Sequence, residues 1–283
     1  MLGMRHATLV LLSFCKVRCL ATASSASGSG DISHESGQVH RLLRVVVIHR
    51  HGDRSQIERS AGPKYPESEH VTTSWLSKMP SQEIRELLLR AATKREVGAD
   101  SSKKDHTKDL YSGRDAHHFP YGQLTELGVQ QMIAVGRTLR QQYSSLLPHA
   151  NEASPSNLVY ARSTDLCRTL MSSRAVLVGL LDMQSAGVSS TPPVIEARSK
   201  ATETMYPDCN DTPCPAMKSY QRELLKDDYV AKNFPGYHEL EMQFKSLLGY
   251  EERVRWLTSR EVLLCQMIHG IEYTPVSKSD IDK

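Results

Sequence analysis

The residues best equipped for chemistry are Arg50-His51-Gly52-Asp53-Arg54, directly behind the apolar run Val45-Val46-Val47-Ile48. Consecutive β-branched residues predict a buried strand, and open α/β sheets bind ligands in the loops at the carboxyl ends of their strands. Two guanidiniums flanking one imidazole suit an oxyanion, because each is a planar fork of donors that stays charged at physiological pH. Cationic neighbours disfavour a second proton on the ring, so His51 is expected to stay neutral and nucleophilic. Gly52 is expected to let the backbone approach a ligand closely. Phosphoryl transfer through a covalent phosphohistidine asks for this combination: a ring nitrogen as nucleophile and fixed positive charge around the equatorial oxygens. The plainer alternative is a solvated basic turn after a buried strand.

A second arginine arrives in the same way. Asn157-Leu158-Val159-Tyr160-Ala161 predicts a short buried strand, followed at once by Arg162-Ser163-Thr164-Asp165. Ser163 or Thr164 is expected to cap the next helix and Asp165 to favour its first turn. Leu166, Leu170, Leu177 and Leu181 then share one helical face. Arg162 is thereby offered beside helix N–H groups that attract anions, although an arginine there can also simply solvate a helix start. Between the two segments, Gly122-Gln123-Leu124-Thr125-Glu126-Leu127-Gly128 opens a structural helix with Thr125 as N-cap. Its face of Val129, Met132, Ile133, Gly136, Arg140 and Tyr143 has Gly136 as the point of close helix–sheet approach.

These three segments, in this order and spacing, resemble the histidine acid phosphatases, the second branch of the histidine phosphatase superfamily. The resemblance covers residues 41–210. In the stretch 122–181 and in Glu203-Thr204-Met205-Tyr206-Pro207 it points to members that act on lysophosphatidic acid. It implies an α/β fold: a phosphoglycerate mutase-like open sheet with helices on both faces, incomplete in this chain, plus a mainly helical cap. It implies His51 as the nucleophile that becomes phosphorylated, with Arg50 and Arg54 holding phosphate from the first loop and Arg162 from the second. It also implies a small phosphomonoester or lysophospholipid substrate, an apolar channel in the cap for an acyl chain, and no cofactor.

The family further uses a late His-Asp pair, in which the histidine contacts phosphate and the aspartate protonates the leaving alkoxide. None of the twelve histidines here is followed by Asp. His238-Glu239 approaches the pattern, but no apolar strand precedes it, and Glu241, Met242, Phe244 and Leu247 predict an amphipathic helix. The proton donor is therefore unassigned, and the expectation is a truncated chain that is weakly active or inactive. Loss of a general acid slows such reactions about 10²- to 10⁴-fold. A non-catalytic phosphate- or phospholipid-binding protein is the main alternative. A mutase-like transferase using the same nucleophile is a further one, against which the cap region argues. Gln56 stands where the family usually has proline, and His49 where it more often has a bulky residue, so a histidine packed at the sheet end is expected. Asp53 is expected to face outward and temper the charge of the loop.

Composition sets wider bounds. A length of 283 residues, 39% hydrophobic and 24% charged, is enough for one or two domains. A net charge of +3 with no basic stripe argues against nucleic acid. Of six cysteines only Cys209 and Cys214 are closely spaced among turn-forming residues, where a disulfide and two thiols both remain open. No Cys-x-x-Cys pair or histidine cluster suggests a metal site. Residues 1–22 read as a targeting segment, free of acid and carrying Arg5, Lys16 and Arg18. The apolar stretch 7–15 is too short to cross a bilayer, so no transmembrane segment is expected. Its composition suits mitochondrial import, with a secretory route through Ala21-Thr22-Ala23 as the alternative. Residues 23–40, rich in Ser and Gly, read as a disordered linker. Residues 41–200 form the first part of the phosphatase core, with an insertion at 55–120 holding one helix near 82–92. Residues 201–283 begin the cap, with Leu224, Leu225, Phe244, Leu247, Leu248, Val254, Trp256 and Leu257 as candidate core.

Overall fold

The two strands expected to carry arginines lie in one sheet. A computed structural model of the chain describes residues 8–13, 18–25, 40–91, 93–95, 116–147, 158–183, 193–199, 202–205, 215–224 and 227–272. It divides into two compact units. The first holds residues 1–53, 80–117 and 124–206; the second holds residues 54–79, 118–123 and 207–283.

The first unit is built on a six-stranded sheet in the order β2-β3-β1-β5-β6-β4. Its strands are β1 (Thr8–Ser13), β2 (Arg18–Ser25), β3 (His40–His49), β4 (Thr93–Arg95), β5 (Val159–Ser163) and β6 (Ile195–Ala197). All neighbours are parallel except β2, which runs antiparallel to β3. The mixed α/β class expected from the sequence is thus present. β3 extends well before the predicted apolar run, and its period of two turns Val45, Val47 and His49 inward. β5 alternates likewise, with Val159, Ala161 and Ser163 buried and Tyr160 exposed on the opposite face.

The inward residues meet a helical layer of α2 (Gln82–Leu88), α3 (Glu126–Gln142) and α4 (Cys167–Leu180), with which they form one continuous core. Thr125 caps α3 as expected, its Oγ1 accepting from the Gly128 N–H at 3.1 Å. The cap of α4 differs from expectation. Leu166 occupies the position without a side-chain bond. The Ser163 hydroxyl instead donates to the Thr164 carbonyl, and Thr164 Oγ1 pairs with Thr169 Oγ1 at 2.9 Å. Every residue of α4 except Arg168 is buried, so the helix has no solvent face and its leucine stripe is only part of its burial.

Gly136 serves a helix–helix contact rather than the helix–sheet approach expected of it. A β-carbon there would lie 2.1 Å from the Val176 carbonyl oxygen, and one at Gly179 would lie 2.1 Å from that of Ile133. The two glycines let the α3 and α4 backbones touch.

The second unit is helical, with α1 (Glu69–Leu76), α5 (Pro215–Leu224), α6 (Asp227–Asn233), α7 (Tyr237–Leu248) and α8 (Trp256–Ile268). Val71, Trp75, Tyr121 and Ile271 form its small core. Among the expected core residues Leu248 and Val254 are buried, while Leu247 and Leu257 are 54% and 85% exposed. The side chains of Leu224 and Leu225 lie outside the described set, as do Cys209 and Cys214. No described helix is long and apolar enough to cross a membrane.

Candidate active site

Ser13 of β1 pairs with His49 on one side and with Ser163 on the other. The carboxyl ends of β3 and β5 therefore finish level with each other, two strand spacings or roughly 10 Å apart. The loop that begins at Arg50 follows β3, whereas Arg162 lies within β5, one residue before its end and ahead of the start of α4 at Cys167, so both stand at the carboxyl end of one sheet.

The imidazole of His51 is fixed by its own loop. Nδ1 lies 2.7 Å from the Gly52 carbonyl oxygen. A carbonyl only accepts, so Nδ1 carries a hydrogen, and the tautomer this bond selects has its lone pair on Nε2.

The loop itself is clamped to α3 and α4. The Gly52 N–H donates to Ser172 Oγ at 3.2 Å, and the Asp53 N–H donates to Gln131 Oε1 at 2.9 Å. The Thr125 N–H donates to the Asp53 carbonyl at 3.1 Å, and its hydroxyl donates to the Asp53 carboxylate. Asp53 thus binds the start of α3 instead of facing outward, and the helix assigned no chemistry holds the loop of His51. Gly52 is small for a related reason: a β-carbon there would come 2.4 Å from the Gly128 carbonyl oxygen. On the side where a β-carbon would stand, its neighbour is the first turn of α3.

His49, one residue before the loop, is buried as expected. Burial pushes its imidazole below the usual value near 6.5, against a smaller opposing pull from its bond to the Arg50 carbonyl. Its Nε2 meets no hydrogen-bond partner.

Among the arginines, Arg50 is exposed at the end of β3. Arg162 is mostly covered and donates from Nη2 to Glu203 Oε1 at 2.9 Å and, more loosely, to Thr204 Oγ1 at 3.4 Å. Arg54 belongs to the second unit, where its Nη1 donates to the Ser55 carbonyl at 2.8 Å and forms an ion pair with Glu261 of α8. Glu261 also accepts from the Ile57 N–H at 3.1 Å. Glu203 stands in a segment that carries the family resemblance, but the pairing of Glu203 and Glu261 with these arginines is not legible in the sequence, since they lie 41 and 207 residues away.

His238 and Glu239 lie exposed in the first turn of α7, on the helix that the surrounding residues predict. The described residues contain no cluster of three or more His, Cys, Asp or Glu able to hold a metal ion.

An imidazole with Nδ1 fixed and two arginines, Arg50 and Arg162, thus lie at the carboxyl ends of β3 and β5, a combination of groups suited to an oxyanion. Comparison with known proteins points the same way. The family model of the Histidine phosphatase superfamily (branch 2) matches residues 41–242. Lysophosphatidic acid phosphatase type 6 of Bos taurus is 25% identical over 276 residues, 95% of this chain and 60% of that protein. The Mus musculus protein of the same name is 35% identical over 156 residues, 54% of this chain and 35% of its own length. Prostatic acid phosphatase of Homo sapiens is 29% identical over 160 residues, 53% of this chain and 40% of that protein. The chain thus spans 60% or less of the length of these relatives.

Proposed function

The chain belongs to the histidine phosphatase superfamily (branch 2), and we propose that it hydrolyses phosphomonoesters through a phosphohistidine formed on His51. The observation that carries this reading is the Nδ1 bond to the Gly52 carbonyl, which sets the lone pair on Nε2 in a loop between two arginines. Nε2 attacks phosphorus and the ester oxygen departs, taking a proton as it goes. Arg50, Arg54 and Arg162 supply the fixed positive charge that a metaphosphate-like transition state needs. Water then attacks phosphorus, releasing inorganic phosphate and returning the lone pair to Nε2.

The proposed substrate class is a lysophospholipid phosphate, lysophosphatidic acid among them. Support comes from relatives that carry this name in their description. The alternative is a protein that holds phosphate without turnover.

Phosphoenzyme trapping separates the two. The purified chain is mixed with a ³²P-labelled phosphomonoester and quenched in alkaline detergent. An acid-labile label on the wild type that is absent from His51→Ala supports the phosphohistidine. Phosphate binding by calorimetry without any label supports the non-catalytic reading. Equal labelling of wild type and His51→Ala would falsify the assignment of the nucleophile.

A further inference from the structure

We propose that Glu203 is a positioning residue, which aims the Arg162 guanidinium at the anion site before any ligand arrives; this rests on the assignment of Arg162 to phosphate. Glu203 follows β6, the strand beside β5, and its side chain is only 4% exposed, against 12% for Arg162. A carboxylate is withdrawn from water this far only when something holds it.

Two donors do so, and they come from different places. Oε1 accepts from Arg162 Nη2 at 2.9 Å and from the Met205 N–H at 2.7 Å. The second bond ties the carboxylate to its own backbone, so Glu203 is an anchored post rather than a swinging partner. Arg162 leans on a fixed point of the sheet edge. A long side chain has many rotamers, and freezing one before binding removes that entropy loss from the binding step.

The pair is also incomplete in an informative way. Arg162 Nε and Glu203 Oε2 are both buried without a hydrogen-bond partner. A salt bridge built for stability alone would close as a two-pronged fork, using both carboxylate oxygens. Here one oxygen engages one terminal nitrogen, and the guanidinium keeps further donors for an anion. Glu203 also brings a negative charge close to that anion, which opposes its retention. A phosphatase must let inorganic phosphate go, and a carboxylate behind one arginine moderates the hold of the site.

The experiment measures inorganic phosphate affinity by calorimetry on the 283-residue chain, with melting curves to establish that each variant is folded. Glu203→Ala removes the post and is expected to weaken phosphate binding about tenfold, the lower end of what loss of a supporting partner does at other ligand sites. Glu203→Gln keeps an oxygen for both donors and is expected to bind within about threefold of wild type or more tightly, because geometry survives while the opposing charge is gone. In an Arg162→Ala background, Glu203→Ala is expected to have no further effect on affinity, the signature of action through that arginine. Should Glu203→Ala fail to fold, Glu203→Gln decides: binding weakened as strongly as in Arg162→Ala overturns the proposal. So does a folded Glu203→Ala that binds like wild type, or additive losses in the double variant. If wild type binds phosphate and labels His51 while those losses are missing, only the role of Glu203 falls; if wild type binds no phosphate, the site assignment falls with it.

Discussion

The main chains of Gly52 and Gly128 pack directly on one another. A β-carbon on Gly128 would sit 2.1 Å from the Asp53 carbonyl oxygen, and one on Gly52 would sit 2.4 Å from the Gly128 carbonyl oxygen. Both obstacles are backbone, so neither can rotate aside. Gly128→Ala is expected to destabilise the fold by about 3 kcal/mol, the upper range for overpacking, as read from urea denaturation. Because the displaced strand of chain carries His51, phosphate binding in the folded fraction is expected to weaken too. A loss of stability with unchanged affinity would mean that the loop does not depend on this contact.

Thr125 links a helix start to that same loop. Its hydroxyl receives the Gly128 N–H and donates to the Asp53 carboxylate. Thr125→Ala is expected to cost about 1–2 kcal/mol, somewhat above an average N-cap. In an Asp53→Asn background the loss is expected to shrink, which a double-mutant cycle on unfolding free energies measures.

His49 gives the protein a weakness in acid. Its folded-state pKa lies below the ordinary 6.5, through burial first. The stability it contributes is therefore complete above about 6.5 and falls as pH drops from there towards the depressed folded value, because the unfolded chain takes up a proton that the folded one refuses. Protonation would also place an unpaired N–H⁺ at Nε2 inside the core. Melting temperature is expected to fall as pH decreases below 6.5 in wild type, and less steeply in His49→Asn, whose amide can replace the Nδ1 bond to the Arg50 carbonyl. Parallel slopes in the two proteins would rule this residue out as the source.

Gln56 replaces a proline of the family pattern and is the hub of a buried network in the second unit. Its Oε1 accepts from Trp75 Nε1 at 3.1 Å and from Gln266 Nε2 at 2.8 Å, while its own Nε2 donates to the Glu58 carbonyl at 2.9 Å. Gln56→Leu leaves two buried donors without an acceptor and is expected to cost about 3 kcal/mol. Thermal melts followed by tryptophan fluorescence, with Trp256→Phe as background so that Trp75 is the one reporter, read the change.

How much of this was legible in the sequence follows from the range of the interactions involved. β3, β5, the Thr125 cap and the site loop were readable because strand pattern, cap chemistry and motif are all local. The level ending of β3 and β5 follows from parallel pairing. The partners of the arginines were not readable: nothing local marks Glu261, and the segment that holds Glu203 gives no sign that it meets Arg162. Ser163 and Thr164 look like caps by type, yet Thr164 is taken up by Thr169. The glycines were recognised as places of close approach, but which surface approaches each is set by tertiary packing. Leu247 and Leu257 match a core pattern and are exposed, since periodicity reports an apolar face without reporting what covers it.

The place of β1 carries a consequence for the spacing of the two strands that lead to His51 and Arg162. Thr8–Ser13 stands between β3 and β5, within the stretch whose composition reads as an import leader. The same residues cannot be both discarded and retained as a spacer. Clipping them off would leave two parallel strands with bare facing edges, and if these joined, the histidine and its opposite arginine would draw nearer by about one spacing, ~4.8 Å.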